Sequence, residues 1–199
     1  AIGCDGCTLQ KKCETPKFTF GGRGEKRVLI LADYPSDDDD FEHKRFIGEE
    51  GKIIRQTLRD LGYNLMKDCW YGYALSCRPS EIDHNTGFPD VKDGMISRCQ
   101  QHMYGQINQI QPKVIIAMGT VATKALIKWR AGGRLSGLKY KSYFGFTIPD
   151  QDWKMFICPT FSPEYLVRTK SFNDEIDKVT LKRFKESFKS AFDASRRSF

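Results

Sequence analysis

The sequence predicts an α/β protein: a three-layer α/β/α sandwich around a central parallel sheet of four strands. Two short, continuously apolar runs, 28–32 and 114–118, have the length and composition of strands buried on both faces. Stretches of helical periodicity lie between the apolar runs, and alternating strands and helices imply a mostly parallel sheet covered on both sides. The 199 residues, 40% of them hydrophobic, suit one domain over 1–199 with a real core.

Residues 1–20 are polar, rich in cysteine and without periodicity, so something other than a core must hold them. The first strand, 28–32, ends in Asp33-Tyr34-Pro35-Ser36, which must turn. Asp37 to Asp40 form an anionic run, read as a solvated loop. Phe46-Ile47-Gly48 leads into a helix over 49–61, with Ile53, Ile54 and Leu58 as its apolar face and Leu61-Gly62 as its stop. A second, aromatic-rich strand follows at 70–75, then a polar loop over 78–94. A helix over 92–110 ends before Pro112, and 114–118 is the clearest strand. Gly119-Thr120 makes a tight junction into a helix over 121–129. Residues 131–147 read as an excursion or hairpin, 155–158 as the fourth strand and 159–168 as a loop. The last helix runs over 173–194, where Leu181, Phe184, Phe188 and Phe192 share one face. Ligands in such folds bind beyond the carboxyl ends of the strands, which puts 33–48, 119–120 and 159–168 on one rim.

Composition narrows the partners. No run of about 18 apolar residues exists, so no membrane span is expected. No basic-then-apolar run opens the chain, so no export signal is expected either. A net charge of +7 favours a polyanion such as nucleic acid. Lys124, Lys128, Arg130, Arg134, Lys139 and Lys141 are interleaved with Tyr140, Tyr143, Phe144 and Phe146, a pattern that suits phosphates and stacked bases or, equally, a solvated hairpin. The seven cysteines are an odd number without an export signal, which disfavours a disulfide scaffold. Cys4-x2-Cys7 lets two thiolates converge on one metal, and Cys69 and Cys158 sit in apolar contexts that suit core positions.

Several motifs now fall in one order: Cys4-x2-Cys7 with Phe20-Gly21-Gly22-Arg23-Gly24; Asp33-Tyr34-Pro35, Asp39-Asp40 and Phe46-Ile47-Gly48; Cys77-Arg78-Pro79 and Cys99; Pro112 to Gly119 with Ala122; and Ser162-Pro163-Glu164-Tyr165-Leu166-Val167-Arg168. In this order they resemble the iron–sulfur branch of the uracil-DNA glycosylase superfamily of bacteria, archaea and phages, over most of the chain. The resemblance implies a DNA-binding protein that hydrolyses the N-glycosidic bond of uracil or a related base extruded from the stack. It implies that Cys4, Cys7, Cys77 and Cys99 hold a [4Fe–4S] cluster and pin residues 1–24. Structural zinc, or ordinary reduced cysteines, are the alternatives, and Cys13 is a substitute ligand.

The same resemblance assigns roles. Asp33 would position water or stabilise the sugar cation, with His43 and Ser162 as further catalytic candidates. Tyr34, Phe46, Tyr73 and Gly119 would bind the base, and Ser162, Pro163, Arg168 and Lys170 the DNA. The sequence also departs from the family. Asp33 stands in place of glutamate, Tyr34 in place of a small residue and His43 in place of glycine. Tyr73 stands where a uracil-reading asparagine is usual, and Ser162 where a histidine is usual. These departures leave a non-enzymatic relative that binds DNA or a replication protein as the alternative. Either would act in the cytoplasm, that of a host if phage-encoded.

Overall fold

The computed structural model describes residues 4, 7–130, 139–169 and 176–197, the side chains of residues 128–130 excepted. In chain order the elements are β1 (Val28–Ala32), α1 (Asp37–Phe41), α2 (Glu49–Asp60), α3 (Leu65–Asp68), β2 (Cys69–Tyr73), α4 (Asp93–Ile110), β3 (Val114–Met118), α5 (Thr120–Arg130), β4 (Ile148–Asp150), β5 (Met155–Thr160), α6 (Pro163–Arg168) and α7 (Lys178–Ser195).

The sheet has the order β2-β1-β3-β5-β4. β1 pairs in parallel with both β2 and β3, and β3 pairs in parallel with β5. These are the four strands the sequence predicts. β4 adds a fifth, antiparallel to β5 at the sheet edge. It is three residues long and carries Pro149, tolerable at an edge because no ladder donor is needed on the outer side.

Alternating side chains serve the two faces. Val28 and Ile30 pack with Ile54 and Leu58 of α2 and with Phe184 and Phe188 of α7. Leu29 and Leu31 pack with Met103 and Ile107 of α4 and with Ala125 and Leu126 of α5. This two-sided cover is why the strands read as unbroken apolar runs. The phenylalanine face of the last helix is buried as the periodicity predicts, and Asp177 caps that helix through Thr180 N–H at 2.8 Å. The expected earlier turn, 173–175, lies outside the described residues. No helix among the described residues is long and apolar enough to cross a membrane.

Two loops of the sequence reading are helices. The four aspartates open α1, which Ser36 caps: its Oγ accepts from Asp39 N–H at 3.2 Å, and Asp39 returns the bond to Ser36 N–H. Acidic residues in a first turn also suit the helix dipole. Asp39 and Asp40 are 3% and 4% exposed, far from a solvated run. Asp39 accepts from Ile47 N–H at 2.8 Å and from the Tyr73 hydroxyl at 2.7 Å. Asp40 accepts from the amides of Glu14 and Thr15 and so ties the N-terminal segment to α1. The segment is anchored further by Phe18 N–H on Ser76 O and by Phe20 N–H on Gln106 Oε1. In the second case, residues 163–168 form α6, with Ser162 as its cap and Pro163 at its first position.

Tyr73 links these pieces, because its hydroxyl donates to Asp39 and accepts from Phe46 N–H at 3.1 Å. Tyr73→Phe leaves a buried carboxylate and a buried amide each short of a partner. We expect a loss of about 1–3 kcal/mol in urea unfolding, with the far-ultraviolet spectrum unchanged.

Candidate base-binding site

The chain crosses from one side of β1 to the other between β2 and β3, so the crevice beyond the carboxyl ends of β1 and β3 is the switch point where such sheets bind ligands. A cavity of about 290 Å³ lies there. Its walls come from the turn after β1, from α1, from the start of α2 and from α6, with Tyr73 of β2 beneath. Asp33, Tyr34, Phe46, Tyr73, Ser162, Pro163 and Arg168 all line it, so seven of the predicted site residues meet at one place.

Asp33 is set at the amino end of α5, where its Oδ1 accepts from Ala122 N–H at 2.7 Å. Gly119 lies behind it with φ +102°, and a Cβ there would stand 2.1 Å from Asp33 Oδ2. Gly119 is not among the residues lining the cavity; it is the backing of Asp33. Burial pushes the Asp33 carboxyl up to about 7, against the pull of the Ala122 amide, and the nearby Glu164 carboxylate adds to the rise. Asp33 is thus both a helix cap and a cavity group.

The aromatic walls are braced. Phe46 is 2% exposed and meets Tyr73 edge-on, with ring centres 5.1 Å apart. The Tyr34 hydroxyl donates to Glu164 at 2.7 Å. Glu164 also pairs with Arg168 at 2.8 Å, and Arg168 donates to Gly87 O and lies over the Phe88 ring. Arg168 therefore clamps the 78–94 loop to α6 at the cavity mouth. Ser162 Oγ accepts from Tyr165 N–H at 3.1 Å, and as a hydroxyl it can also donate. Glu50, in the first turn of α2, also lines the cavity. Its carboxyl is raised by burial and by the Asp39, Glu164 and Asp38 carboxylates. The sequence reading assigns Glu50 and Glu164 no role: Glu50 opens a predicted helix, where a glutamate is ordinary, and Glu164 appears only as part of the last motif.

His43 stands apart from this group: it is exposed, and its Nδ1 meets Thr15 Oγ1. Lys170, Arg134 and the side chains of Lys128 and Arg130 lie outside the described residues. Lys124 pairs with Asp93, while Lys141 lies over the Tyr165 ring.

On the α4 side of the sheet, Cys4, Cys7, Cys77 and Cys99 line one very small cavity together with Lys17, Arg98 and His102. All seven cysteines are unpaired. Lys17 N–H donates to Cys77 Sγ at 3.3 Å. Burial pushes the Cys99 thiol up to about 12. Cys13 is likewise raised to about 12, by burial first and then by Cys77 and Asp40. Ser76 Oγ and His102 Nε2, at the same cavity, are buried without a hydrogen-bond partner among the described residues. The donor set, four thiols beside two cations, fits a thiolate-ligated centre. Yet among the described residues no group of three or more His, Cys, Asp or Glu is arranged to hold a metal ion. Cys69 and Cys158 are core residues, as expected.

The family model described as the Uracil DNA glycosylase superfamily matches residues 18–185. The chain is 27% identical over 179 residues to a type-4 uracil-DNA glycosylase of Pyrobaculum aerophilum, spanning 88% of this chain and 85% of that protein. It is 26% identical over 180 residues to one from Thermotoga maritima, spanning 89% and 84%. A DNA polymerase of Bacillus phage SP01 is 28% identical over 123 residues, which is 60% of this chain and 13% of the polymerase.

Proposed function

Since the chain belongs to the uracil DNA glycosylase superfamily, we propose that it binds DNA and hydrolyses the N-glycosidic bond of a base held in the cavity beyond β1 and β3. The observation that carries this reading is the placement of Asp33: a carboxylate backed by Gly119 at the sheet end, on the lining of an aromatic-walled cavity. A base extruded from the stack enters between Tyr34, Phe46 and Tyr73. The ionised Asp33 stabilises positive charge that develops on the sugar, or holds the attacking water, where low dielectric strengthens the effect. Ser162 offers its hydroxyl proton to the departing base. The start of α6, with Pro163 buried beneath it, forms the side of the cavity mouth that would face the DNA.

The reading sets a pH dependence. The useful form of Asp33 is the carboxylate, so the rate rises about tenfold per pH unit below about 7 and levels above it. Stability moves the other way. The carboxyl sits above its unfolded value of 3.8, so its contribution is complete below that value and is lost as pH rises through about 7. The test uses single- and double-stranded oligonucleotides carrying uracil or hypoxanthine, treated with alkali to cut at abasic sites. Asp33→Asn is expected to lower the rate by a factor of about 100 and to abolish the rise with pH.

A second reading has its own support. The Tyr73 hydroxyl is taken up by Asp39 and Ser162 caps α6, and a stretch of a phage DNA polymerase is similar to this chain. A non-catalytic DNA-binding or replication-associated protein would bind these oligonucleotides tightly and leave no abasic sites.

We further propose that Cys4, Cys7, Cys77 and Cys99 hold a [4Fe–4S] cluster, with structural zinc as the alternative. A centre there would supply a covalent staple between the N-terminal segment and the loop after β2, and no chemistry at the base.

A further inference from the structure

We propose that the base taken by the cavity carries a positive charge on its ring, as N-alkylated purines and pyrimidines do; this rests on the glycosylase reading for the site but not on hydrolysis itself. The cavity and its aromatic walls call for a flat ligand, and the chemistry of the lining decides its charge. Seven carboxylates and two arginines line the space, with no lysine or histidine among the described residues there. Each arginine already faces a carboxylate: Arg78 pairs with Asp37, and Arg168 with Glu164. Both tyrosine hydroxyls give their protons to carboxylates, and that of Tyr73 also accepts from Phe46 N–H, so neither has a proton left for a ligand. The carboxyls of Glu50 and Asp33 are raised first by burial and then by neighbouring carboxylates, Glu164 among them in both cases.

Such walls suit uracil poorly. When its glycosidic bond breaks, the electron pair goes to the base nitrogen and uracil leaves as an anion, which needs donors or positive charge. A ring-cationic base accepts the same electron pair and leaves neutral. The sugar carbon is left as an oxocarbenium ion and takes the oxygen of a water. The water's proton passes to the Asp33 carboxylate or to solvent. That departure needs no anion-stabilising histidine, and the surrounding carboxylates favour both the bound cation and the sugar cation. Tyr73 and Ser162, at the two positions where the sequence departs from a uracil site, fit this demand.

The experiment measures binding by fluorescence anisotropy, using single-stranded and duplex oligonucleotides that differ at one residue. That residue is 3-methylcytosine or 7-methylguanine as the cationic probes, and cytosine, guanine or uracil as the neutral ones. The expected result is binding about tenfold tighter or more to the cationic probes, a preference cut about threefold or more by Glu50→Gln. Asp38→Asn, at a more exposed wall position, is the second variant should the first fail to fold. Equal or tighter binding of the neutral probes overturns the inference, as does a preference that survives both substitutions. Abasic sites are counted in the same samples. A cationic preference without abasic sites upholds this inference and removes the hydrolysis reading. Abasic sites at uracil without a cationic preference do the reverse.

Discussion

Gly119→Ala is expected to cost about 2–4 kcal/mol of folding stability and to remove most of any base-releasing activity. Two effects add at this position. The backbone is at φ +102°, where a residue with a Cβ is strained by about 1–3 kcal/mol. The new methyl group would also lie 2.1 Å from Asp33 Oδ2, so the carboxylate has to leave its seat. Asp33 then gives up its bond to Ala122 N–H, and α5 loses a cap worth about 1 kcal/mol. Gly62→Ala is the control. Gly62 also has positive φ, +81°, but nothing lies within 4 Å of the Cβ it would gain. It should cost about 1 kcal/mol and leave activity intact. Urea unfolding of both variants, beside wild type, separates strain alone from strain plus displacement. Equal losses in the two would mean that Gly119 does not back Asp33.

The Gly119–Asp33 contact shows where sequence reading works and where it stops. β1 and β3 are legible because burial on both faces demands five apolar residues in a row. The helix α2 is legible from its apolar face and its stop, and α4 from its end before Pro112. The pairing of Asp33 with the end of α5 joins residues 89 positions apart, and no local pattern encodes it. α1 was obscured for a related reason. Four aspartates read as solvated charge until Tyr73, Ile47 and Thr15 are seen to supply donors from three separate segments. β4 is too short, with its proline, to register as a strand. The substitutions at Tyr73 and Ser162 are visible in sequence, but their partners are not. Only the fold shows that a tyrosine at that position braces Phe46 and Asp39. Glu50 and Glu164 likewise acquire meaning from the cavity they share, not from their neighbours in the chain.

The cysteines carry the other large expected effect. Protein purified without oxygen is expected to be brown and to hold about four irons per chain, and Cys77→Ser or Cys99→Ser should strip most of that iron. Cys69→Ser and Cys158→Ser should keep it, because both residues lie in the core on the other face of the sheet. Ligation needs thiolates, and burial holds Cys99 protonated up to about 12, so each bound metal must displace protons. Reconstitution should therefore weaken steadily as pH falls. Metal loss should act locally at first. The segment from Glu14 onward keeps its bonds to Asp40, Ser76 and Gln106, none of which involves a cysteine. Limited proteolysis of the chelated protein should accordingly speed up on the N-terminal side of Glu14 and leave the sheet intact. A colourless protein with about one zinc per chain would replace iron by zinc in the same four-thiolate role. Protein holding neither metal, with unchanged proteolysis in Cys77→Ser, would leave the segment anchored by contacts such as those to Asp40, Ser76 and Gln106.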